Sequence, residues 1–508
     1  MSKTIEHIVV VGGGSAGWLV AGVIAAEHRL RVTLVESPDV PPIGVGEGTW
    51  PSMRDTLRRI GVSEADFFRE CDASFKQGSR FNGWVTGAAD DYYFHPFALP
   101  QGHGGANLAA AWQASHRGVP FADLVSHQPH LCVAGRAPKQ AQTPEFAAVA
   151  NYGYHLDAGK FGVFLRGHCV GKLGVRHVLD HVDAVESQEN GDIAGLRLRR
   201  HGLLGADLFI DCTGMQSLLL GQHYGVPLVP QRHVLFNDAA LAVQVPYATA
   251  DAPIASQTTS TAQASGWIWD IGLPARRGVG HVYSSAHASD DEAFEALRRY
   301  VVATGGPEDI SPRKLRFEPA YRKRFWHRNC LAIGLSAGFI EPLEASALAL
   351  VEMSVEWLAD DMPATRAEVD IIAARFNEAF TYRWERIIEF LKLHYVLSKR
   401  SDSPYWLEHR KAATVPERLR ELLALWRSRP PSRRDLARIE EVFPSASYQY
   451  ILYGMGYPLE GAARASDLPQ EADRHFQDAA RLTARMLQLL PSNRELLAHI
   501  RAHGLPRG

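Results

Sequence analysis

The stretch that decides the fold is residues 7–36, HIVVVGGGSAGWLVAGVIAAEHRLRVTLVE. Residues 7–11 are mostly β-branched and apolar, which predicts a short buried strand, and residues 18–26 predict the helix that follows the glycine turn. Residues 31–36 predict a second strand, which ends in the acid Glu36. The order of strand, glycine-rich turn, helix, strand and carboxylate is typical of a βαβ dinucleotide-binding fold.

The turn itself carries the pattern Gly12-x-Gly14-x-x-Gly17. In such a pattern the first glycine permits a tight turn, the second lets the backbone approach a pyrophosphate, and the third allows the helix to pack closely on the strand. The helix N-terminus adds partial positive charge, and Glu36 stands where an acid binds ribose hydroxyls. Alone the glycines are weak evidence, but in this context they predict an adenine dinucleotide site, which is either FAD or NAD.

Residues 8–26 carry no charge and form a run long enough to suggest a membrane span or a signal peptide. The glycines interrupt this run where a strand would turn into a helix, so a soluble fold is the better interpretation.

The composition is that of an ordinary globular protein, with 508 residues, 46% hydrophobic, 22% charged and a formal net charge of −2. The sequence has no cluster of lysines and arginines of the kind that binds nucleic acid. The cysteines form no CxxC pair and no metal-ligand spacing, which favours a reduced cytoplasmic protein without a metal site. They are Cys71, Cys132, Cys169, Cys212 and Cys330.

Three later segments favour FAD over NAD. Residues 43–48 are a glycine loop after the second strand, residues 209–214 predict another strand and turn, and residues 331–334 predict a third. Each alone could be a plain buried turn, but together they suit a long flavin cofactor. Because these segments are far apart in sequence, the fold must be assembled from distant pieces.

The C-terminal third changes to a helical pattern. Apolar side chains recur at three- and four-residue steps from Phe376 to Tyr395, which predicts one face of a long helix. Thr365 with Glu368, and Thr414 with Glu417, are each spaced as a capping box that opens a helix. Residues 473–501 also predict helix.

Four further motifs resemble those of the flavin-dependent tryptophan halogenases, and the resemblance covers most of the chain. The two-tryptophan motif is the specific one, since a flavin monooxygenase shares the glycine turn but is not expected to carry it together with the Lys76 segment. The motifs are GVGE at 44–47, FKQG at 75–78, WIWDI at 267–271 and FIEPLE at 339–344.

The resemblance implies an α/β fold in which a Rossmann-like, monooxygenase-like FAD module joins a largely helical substrate module. We expect the FAD module to comprise residues 1–80, 160–245 and 325–365. The substrate module would then comprise residues 81–159, 246–324 and 366–508.

The resemblance also implies the reaction. Reduced FAD, oxygen and chloride or bromide would yield hypohalous acid, which would travel through a tunnel to an electron-rich aromatic substrate of the indole type. We find no second nicotinamide-binding glycine motif, so a separate flavin reductase would supply the reduced FAD. The cofactor-binding positions implied are Gly12, Gly14, Ser15, Ala16, Gly17, Glu36, Gly46, Glu47, Val178, Asp211, Gly334, Leu335 and Leu348.

Lys76 and Glu344 match the family's catalytic positions. An unperturbed lysine, with a pKa of about 10.4, is an ammonium at neutral pH and cannot attack as a nucleophile. Lys76 therefore either polarises hypohalous acid by a hydrogen bond or is desolvated enough to become a free amine. Glu344 could orient the electrophile and take up the ring proton, or it could simply stabilise the dipole of a following helix.

The remaining site residues are assigned by the same resemblance. Backbone amides of Ser346 and Ala347 would bind the halide, and His95 and Phe97 would sandwich the substrate. Trp267 and Trp269 would line the space between flavin and substrate and block oxygenation of the substrate. As generic aromatic side chains, all four could equally be core residues.

Two departures from the family motifs are expected to matter. Gly272 stands where proline is usual, which predicts a more flexible loop after Trp269. Ala345-Ser346-Ala347 replaces serine, threonine and glycine, and alanine would resist a positive φ at position 347.

The substrate and the reaction leave alternatives open. We find no clear set of partners around residues 443–457 for the ammonium and carboxylate of free tryptophan, which favours indole or a larger indole-bearing molecule. Alternative functions are an aromatic monooxygenase, which leaves Lys76 without a role, and a non-catalytic FAD-binding protein. The expected assembly is a monomer or a homodimer.

Overall fold

A computed structural model of the chain describes residues 3–40, 46–461 and 469–507. The chain separates into two compact units, each made of three segments, so that Lys76 belongs to unit 2 and Glu344 to unit 1. Unit 1 comprises Met1–Asp72, Leu156–Gln231 and Phe317–Trp384, and unit 2 comprises Ala73–His155, Arg232–Arg316 and Glu385–Gly508.

The strands, in chain order, are β1 (His7–Val11), β2 (Arg31–Glu36), β3 (Gly46–Gly48), β4 (Ser74–Lys76), β5 (Gly78–Asn82), β6 (Tyr92–Pro96), β7 (Gly153–Asp157), β8 (Arg176–Leu179), β9 (Val182–Ser187), β10 (Ile193–Leu198), β11 (Gly202–Gly205), β12 (Leu208–Asp211), β13 (Leu228–Pro230), β14 (Ala239–Pro246), β15 (Thr258–Gln263), β16 (Gly266–Gly272), β17 (Arg276–Tyr283), β18 (Arg313–Arg316), β19 (Ala320–Arg322), β20 (Trp326–His327), β21 (Cys330–Ala332) and β22 (Gly338–Phe339).

The α-helices, in chain order, are α1 (Ser15–Glu27), α2 (Met53–Arg59), α3 (Glu64–Glu70), α4 (Leu108–Ser115), α5 (Phe121–Val125), α6 (Gln128–Val133), α7 (Ala158–Gly171), α8 (Asp290–Ala303), α9 (Ser346–Asp360), α10 (Arg366–Val396), α11 (Pro404–His409), α12 (Glu417–Trp426), α13 (Ser445–Gly454), α14 (Pro469–Leu489) and α15 (Asn493–His503). None of the helices within the described ranges is long and apolar enough to cross a membrane.

Unit 1 is organised by a six-stranded sheet in the order β20-β21-β12-β1-β2-β8. The five strands from β21 to β8 are parallel, and β20 is an antiparallel edge strand. All five residues of β1 are buried, as expected for a central parallel strand covered on both faces. Helix α1 packs against α7 and α9. The predicted βαβ unit is confirmed, and its helix begins at Ser15.

Unit 2 is organised by a seven-stranded sheet in the order β18-β14-β17-β16-β15-β5-β6. Its neighbouring strands are antiparallel except for β15 and β5, which are parallel. Helix α8 covers one face of this sheet, where Ile268 packs with Leu297 and Val301. Because side chains alternate along a strand, Trp267 and Trp269 lie on the opposite face.

The predicted helical C-terminal third is present, but its caps differ from those predicted. Glu368 accepts a hydrogen bond from the backbone of Ala364 (2.7 Å), one residue before the predicted partner Thr365. The second predicted capping box is wrong, since α12 begins at Glu417 after Pro416 without a side-chain cap. The Thr414 hydroxyl lies instead 3.0 Å from the Nζ of Lys392, which donates to it.

Candidate active site

The glycine turn of unit 1 is built by two backbone contacts that exclude side chains. Gly12 has a φ of +118°, and a Cβ at this position would lie 2.1 Å from the carbonyl oxygen of Cys212. A Cβ at Gly17 would lie 1.9 Å from the carbonyl oxygen of Gly12. These two glycines therefore let β1, α1 and the end of β12 meet, which is the packing that the motif predicts.

Gly14 plays a different part. It is the N-cap of α1, it is exposed, and no atom lies within 4 Å of a Cβ built there. The first turn of α1 carries no acid, so the field at this helix N-terminus favours an anion. An open backbone surface at a positive helix end fits the pyrophosphate of FAD, and Ser15 and Ala16 are both partly exposed beside it.

Glu36 lies at the end of β2, over the glycine turn. A Cβ at Gly13 would lie 2.2 Å from the Glu36 carboxyl carbon. The Glu36 side chain can therefore pack against the turn only because residue 13 is glycine. The Nε2 of His177 is 2.9 Å from the Glu36 carboxylate, and Arg166 is 4.0 Å from the same oxygen. The carboxylate is thus held beside the turn, where a ribose would lie if the turn bound the pyrophosphate.

Asp211 differs from the other assigned cofactor positions because its carboxylate is fully used by its own turn. One oxygen accepts from the amide and hydroxyl of Thr213, and the other from the hydroxyl of Ser217 and the amides of Leu219 and Leu220. Asp211 is fully buried. Its side chain shapes the turn beside Gly12 and has no lone pair left for a cofactor.

The other assigned positions of unit 1 are spread around the same sheet. Gly334 has a φ of +76°, and a Cβ there would be 2.9 Å from that of Ala16. Leu335 follows it and is partly exposed, whereas Val178 and Leu348 are buried. Gly46 and Glu47 lie in β3, and burial of the Glu47 carboxyl group raises its pKa to about 7. Residues 44 and 45 of the GVGE segment lie outside the described residues.

The turn before α9 carries the strain that was expected at Ala347. Glu344 and Ala345 have φ values of +63° and +56°, and Ala347 lies inside α9. The prediction of a difficult positive φ at position 347 is therefore wrong, because the left-handed conformation falls two and three residues earlier. The Trp50 indole donates a hydrogen bond to the Glu344 carbonyl (2.7 Å) and holds this turn in place.

Ser346 and Ala347 are the first two residues of α9, and their amides are among the first four of the helix, which have no partner inside it. Ser346 is buried and Ala347 is exposed. A helix of 15 residues directs a partial positive charge toward this end. The arrangement can bind a small anion such as a halide.

Lys76 ends β4 in unit 2 and is 1% exposed. Its Nζ lies 5.4 Å from the centre of the Phe97 ring. The structure thus places Lys76, assigned to bind the hypohalous acid, close to Phe97, assigned to contact the substrate. A buried ammonium beside a ring face is stabilised by a cation–π interaction and is shielded from water.

His155, which was not assigned from the sequence, lies on the same sheet face as Lys76. In the β4–β7 pair Ser74 is opposite His155, and Lys76 is opposite Gly153. His155 is therefore the diagonal neighbour of Lys76 on the same face, and Gly153 places no side chain opposite the lysine. Its Nε2 is 2.8 Å from the Thr258 hydroxyl. Burial and the charge of Lys76 hold the pKa of His155 well below its usual range, so the ring is neutral.

His95 lies among aromatic side chains of unit 2. Its Nε2 is 2.8 Å from the hydroxyl of Ser447 on α13, and its ring centre is 5.7 Å from that of Phe390 and 6.4 Å from that of Phe443. Phe390 and Phe443 are stacked with centres 3.7 Å apart. His95 thus borders an aromatic cluster, and the hydrogen bond to Ser447 fixes the tilt of its imidazole.

The two tryptophans of the WIWDI motif differ in their surroundings. Trp267 is 1% exposed and lies 6.3 Å from Trp84, in an aromatic cluster. Trp269 is 8% exposed, and its ring centre is 6.4 Å from that of Trp267. Trp267 is therefore a core residue, whereas Trp269 lies at the edge of that cluster.

Gly272 is the last residue of β16, where a flexible loop was expected. Its carbonyl accepts a hydrogen bond from the Ser74 hydroxyl (2.5 Å), and it pairs with Arg277 of β17. Residues 270–272 are therefore strand rather than loop, held by the ladder and by Ser74, whereas the greater flexibility of this segment stays a prediction.

Comparisons with known proteins agree with this geometry. The family model described as tryptophan halogenase matches residues 7–470. The tryptophan 6-halogenase SttH of Streptomyces toxytricini is 33% identical over 527 residues, with 98% of each chain covered. The chain belongs to the tryptophan halogenase family.

Solved structures of halogenases superpose on almost the whole chain. A tryptophan halogenase from Shewanella frigidimarina is 49% identical with a TM-score of 0.96, covering 100% of this chain and 99% of its own. The flavin-dependent halogenase BrvH of Brevundimonas sp. BAL3 is 32% identical with a TM-score of 0.86, covering 98% and 99%. This halogenase therefore uses FADH2 from a separate flavin reductase, together with a halide, and the monooxygenase and non-catalytic alternatives are set aside.

The halogenase also carries a buried, neutral acid, Glu352, which lies inside α9. Its carboxyl group accepts hydrogen bonds from Thr56 (2.8 Å) and Ser52 (3.3 Å), which tie α9 to the start of α2. Burial, opposed in part by these hydrogen bonds, raises the pKa of Glu352 to about 8. No sequence motif marked this residue, because its neutrality depends on burial.

We expect Glu352 to make stability fall as the pH rises. Because its pKa is higher in the folded chain than in the unfolded one, its stabilising contribution is complete below about pH 4.5 and is lost as the pH rises through about 8. A tenfold difference in proton affinity between the folded and unfolded chains is equivalent to about 1.4 kcal/mol, so a change of a few kcal/mol is expected across this range. Melting temperatures of Glu352→Gln between pH 5 and 9 should decline less than those of the wild type. Glu421→Gln, a change at an exposed acid of α12 whose charge does not act on Glu352, should follow the wild type.

Proposed function

We propose that this halogenase places chlorine or bromine on the indole ring of indole or of a larger indole-bearing molecule. The observation that carries this proposal is the composition of α13, SASYQYILYG, which has no charged residue. Nine of its ten residues are buried, and Ser447 on this helix contacts His95. A helix of this kind can pack against a neutral aromatic ring, but it has no side-chain charge to bind the ammonium and carboxylate of a free amino acid.

The flavin and halide would be bound by unit 1. Gly12, Gly14 and Gly17 would admit the FAD pyrophosphate at the N-terminus of α1, and Glu36 would bind ribose hydroxyls. When bound, reduced FAD supplies the two electrons with which oxygen and halide are converted to hypohalous acid and water. The amides of Ser346 and Ala347 would hold the halide at the positive end of α9.

Lys76 would hold the hypohalous acid and make its halogen more electrophilic. An ammonium N–H donated to the oxygen of the acid withdraws electron density from the halogen and stabilises the leaving oxygen. The neutral state of His155 favours this role, since it adds no second positive charge beside the lysine. The alternative, a free amine that attacks the halogen, requires Lys76 to lose its proton first.

The other residues would orient the ring and complete the substitution. His95 and Phe97 would sandwich the indole, and Phe97 already lies within 5.4 Å of the Lys76 Nζ. The Glu344 carboxylate would take up the ring proton after the halogen is attached, which restores aromaticity. Trp269, the more exposed of the two motif tryptophans, would line the passage used by hypohalous acid.

The test of this proposal is mass spectrometry of indole treated with purified protein, FAD, a flavin reductase, NADH, oxygen and either bromide or chloride. We expect a halogenated product with the isotope doublet of the halogen, absent without the protein. Free tryptophan, the substrate in the name of the Streptomyces toxytricini relative, is the matched comparison. Efficient turnover of tryptophan with no turnover of indole would contradict the substrate proposal, and a product carrying only added oxygen would contradict the halogenation proposal.

The free cysteines of the chain suit a reducing cellular compartment. All five cysteines are free, and we propose a cytoplasmic enzyme that receives reduced FAD by diffusion from its reductase. We propose that it acts as a monomer or a homodimer, which sedimentation of the holoenzyme would distinguish.

A further inference from the structure

Gly280 lies in the middle of β17, an unusual place for glycine. A central strand gains little from a residue that has no side chain to pack and that loses more freedom on folding than any other. Gly280 is paired on both sides, with Trp269 of β16 and with Ala242 of β14. Residues opposite each other share a face, so these three positions form a row across three strands.

The Trp269 indole occupies the space that a side chain at position 280 would need. A Cβ at Gly280 would lie 2.1 Å from Cζ2 and 2.2 Å from Cη2 of Trp269. It would also lie 2.7 Å from the carbonyl oxygen of Leu241. The six-membered part of the indole therefore lies against the β17 backbone at Gly280, and this backbone cannot retreat because it is paired on both edges.

The neighbouring row shows what happens when the opposite position is filled. Trp267 is paired with Val282, whose side chain covers β17 at that point. The Trp267 ring is directed into the aromatic cluster, 6.3 Å from Trp84. Two tryptophans on the same strand and the same face thus have different environments, and the residue opposite each of them is the local difference.

We propose that Gly280 is a positioning residue that sets where the Trp269 ring lies, and hence the width of the passage that this ring lines. The proposal rests on the role assigned to Trp269 under the proposed function. A methyl group at position 280 would lift the indole away from the sheet while leaving Trp267 in its cluster. The displaced ring would then occupy space in front of the sheet face, where small molecules are proposed to pass.

The experiment compares Gly280→Ala with the wild type in an enzyme labelled with 5-fluorotryptophan. We expect the ¹⁹F resonance that is absent in Trp269→Phe to shift in Gly280→Ala. We also expect the fraction of consumed FADH2 that yields halogenated indole to fall by about tenfold, with hydrogen peroxide released instead, since small misplacements at a reaction path are costly. Val279→Ala, a change on the opposite face under α8, is the control for a general loss of stability.

A double variant separates positioning from a general structural defect. In a Trp269→Ala background there is no ring to displace, so adding Gly280→Ala should leave the coupled fraction unchanged. An equal fall in both backgrounds would overturn the proposal, as would an unshifted Trp269 resonance. A shifted resonance with full coupling would refute the link to the passage. Failure of the wild type to halogenate indole would instead count against the proposed substrate, because the resonance test does not depend on turnover.

Discussion

Lys76→Met is expected to lose halogenated product by about a thousandfold while the enzyme still oxidises reduced FAD with oxygen. The methionine keeps the length and apolar stem of the buried side chain but removes every N–H donor. Without a donor on its oxygen, hypohalous acid keeps its ordinary reactivity and is not held beside Phe97, which lies 5.4 Å from the lysine nitrogen. Oxygen uptake should continue, because the residues assigned to the flavin belong to unit 1 and Lys76 to unit 2.

The measurement is the ratio of halogenated indole to consumed oxygen, with hydrogen peroxide and free hypohalous acid assayed in parallel. Lys139→Met is the matched control, since Lys139 is also a fully buried lysine of unit 2. It donates to the Pro144 carbonyl (3.0 Å) and to the Tyr152 hydroxyl (3.1 Å), and it has no assigned part in the reaction. Lys139→Met should melt earlier yet keep product formation. Full product formation by Lys76→Met would remove the proposed role of the lysine.

The flavin half of the fold was predictable because it depends on local rules. A buried strand, a glycine turn, a helix and a second strand follow one another within 30 residues, and each is set by its own sequence pattern. The bounds of β1 and β2 are confirmed to the residue. The capping box predicted at Thr414 is absent because α12 begins only at Glu417, after Pro416. The Thr414 hydroxyl donates instead to the Lys411 carbonyl (2.9 Å) and accepts from Lys392 (3.0 Å), and the spacing of a capping pattern does not reveal these contacts.

In the candidate site too, some residues were predictable from the local sequence, whereas the properties of others depend on the folded chain. Gly12 and Gly17, which the structure shows to be sterically required, were found from their spacing between a predicted strand and a predicted helix. Asp211 was assigned to the cofactor through the family resemblance, but its carboxylate accepts hydrogen bonds from its own turn, whose conformation the sequence did not reveal. His155 and Glu352 were missed because their neutral states arise from burial, which only the folded chain creates.

Gly14→Ala and Gly17→Ala are expected to weaken FAD binding for different reasons. The methyl group of Gly17→Ala would lie 1.9 Å from the Gly12 carbonyl oxygen, so β1 and α1 must separate. Overpacking of this kind costs about 1–3 kcal/mol or more, and we expect a lower melting temperature and at least a hundredfold loss of FAD affinity. The methyl group of Gly14→Ala meets no atom of the protein within 4 Å, so the apoprotein should fold normally. Its FAD affinity should nevertheless fall by about tenfold, because the methyl group occupies the surface that the pyrophosphate approaches.

Equilibrium titration of FAD and melting of the apoprotein together separate these two effects. Gly162→Ala provides the control, since Gly162 lies in α7 of the same unit and likewise has no atom within 4 Å of an added Cβ. Alanine in a helix interior is favoured over glycine by about 1 kcal/mol, so this variant should melt slightly later and bind FAD as the wild type does. The decisive comparison is between Gly14→Ala and Gly162→Ala, both free of clashes within the protein. If they bind FAD equally well, the pyrophosphate does not approach Gly14, and the loss in Gly17→Ala reports only the unfolding of the turn.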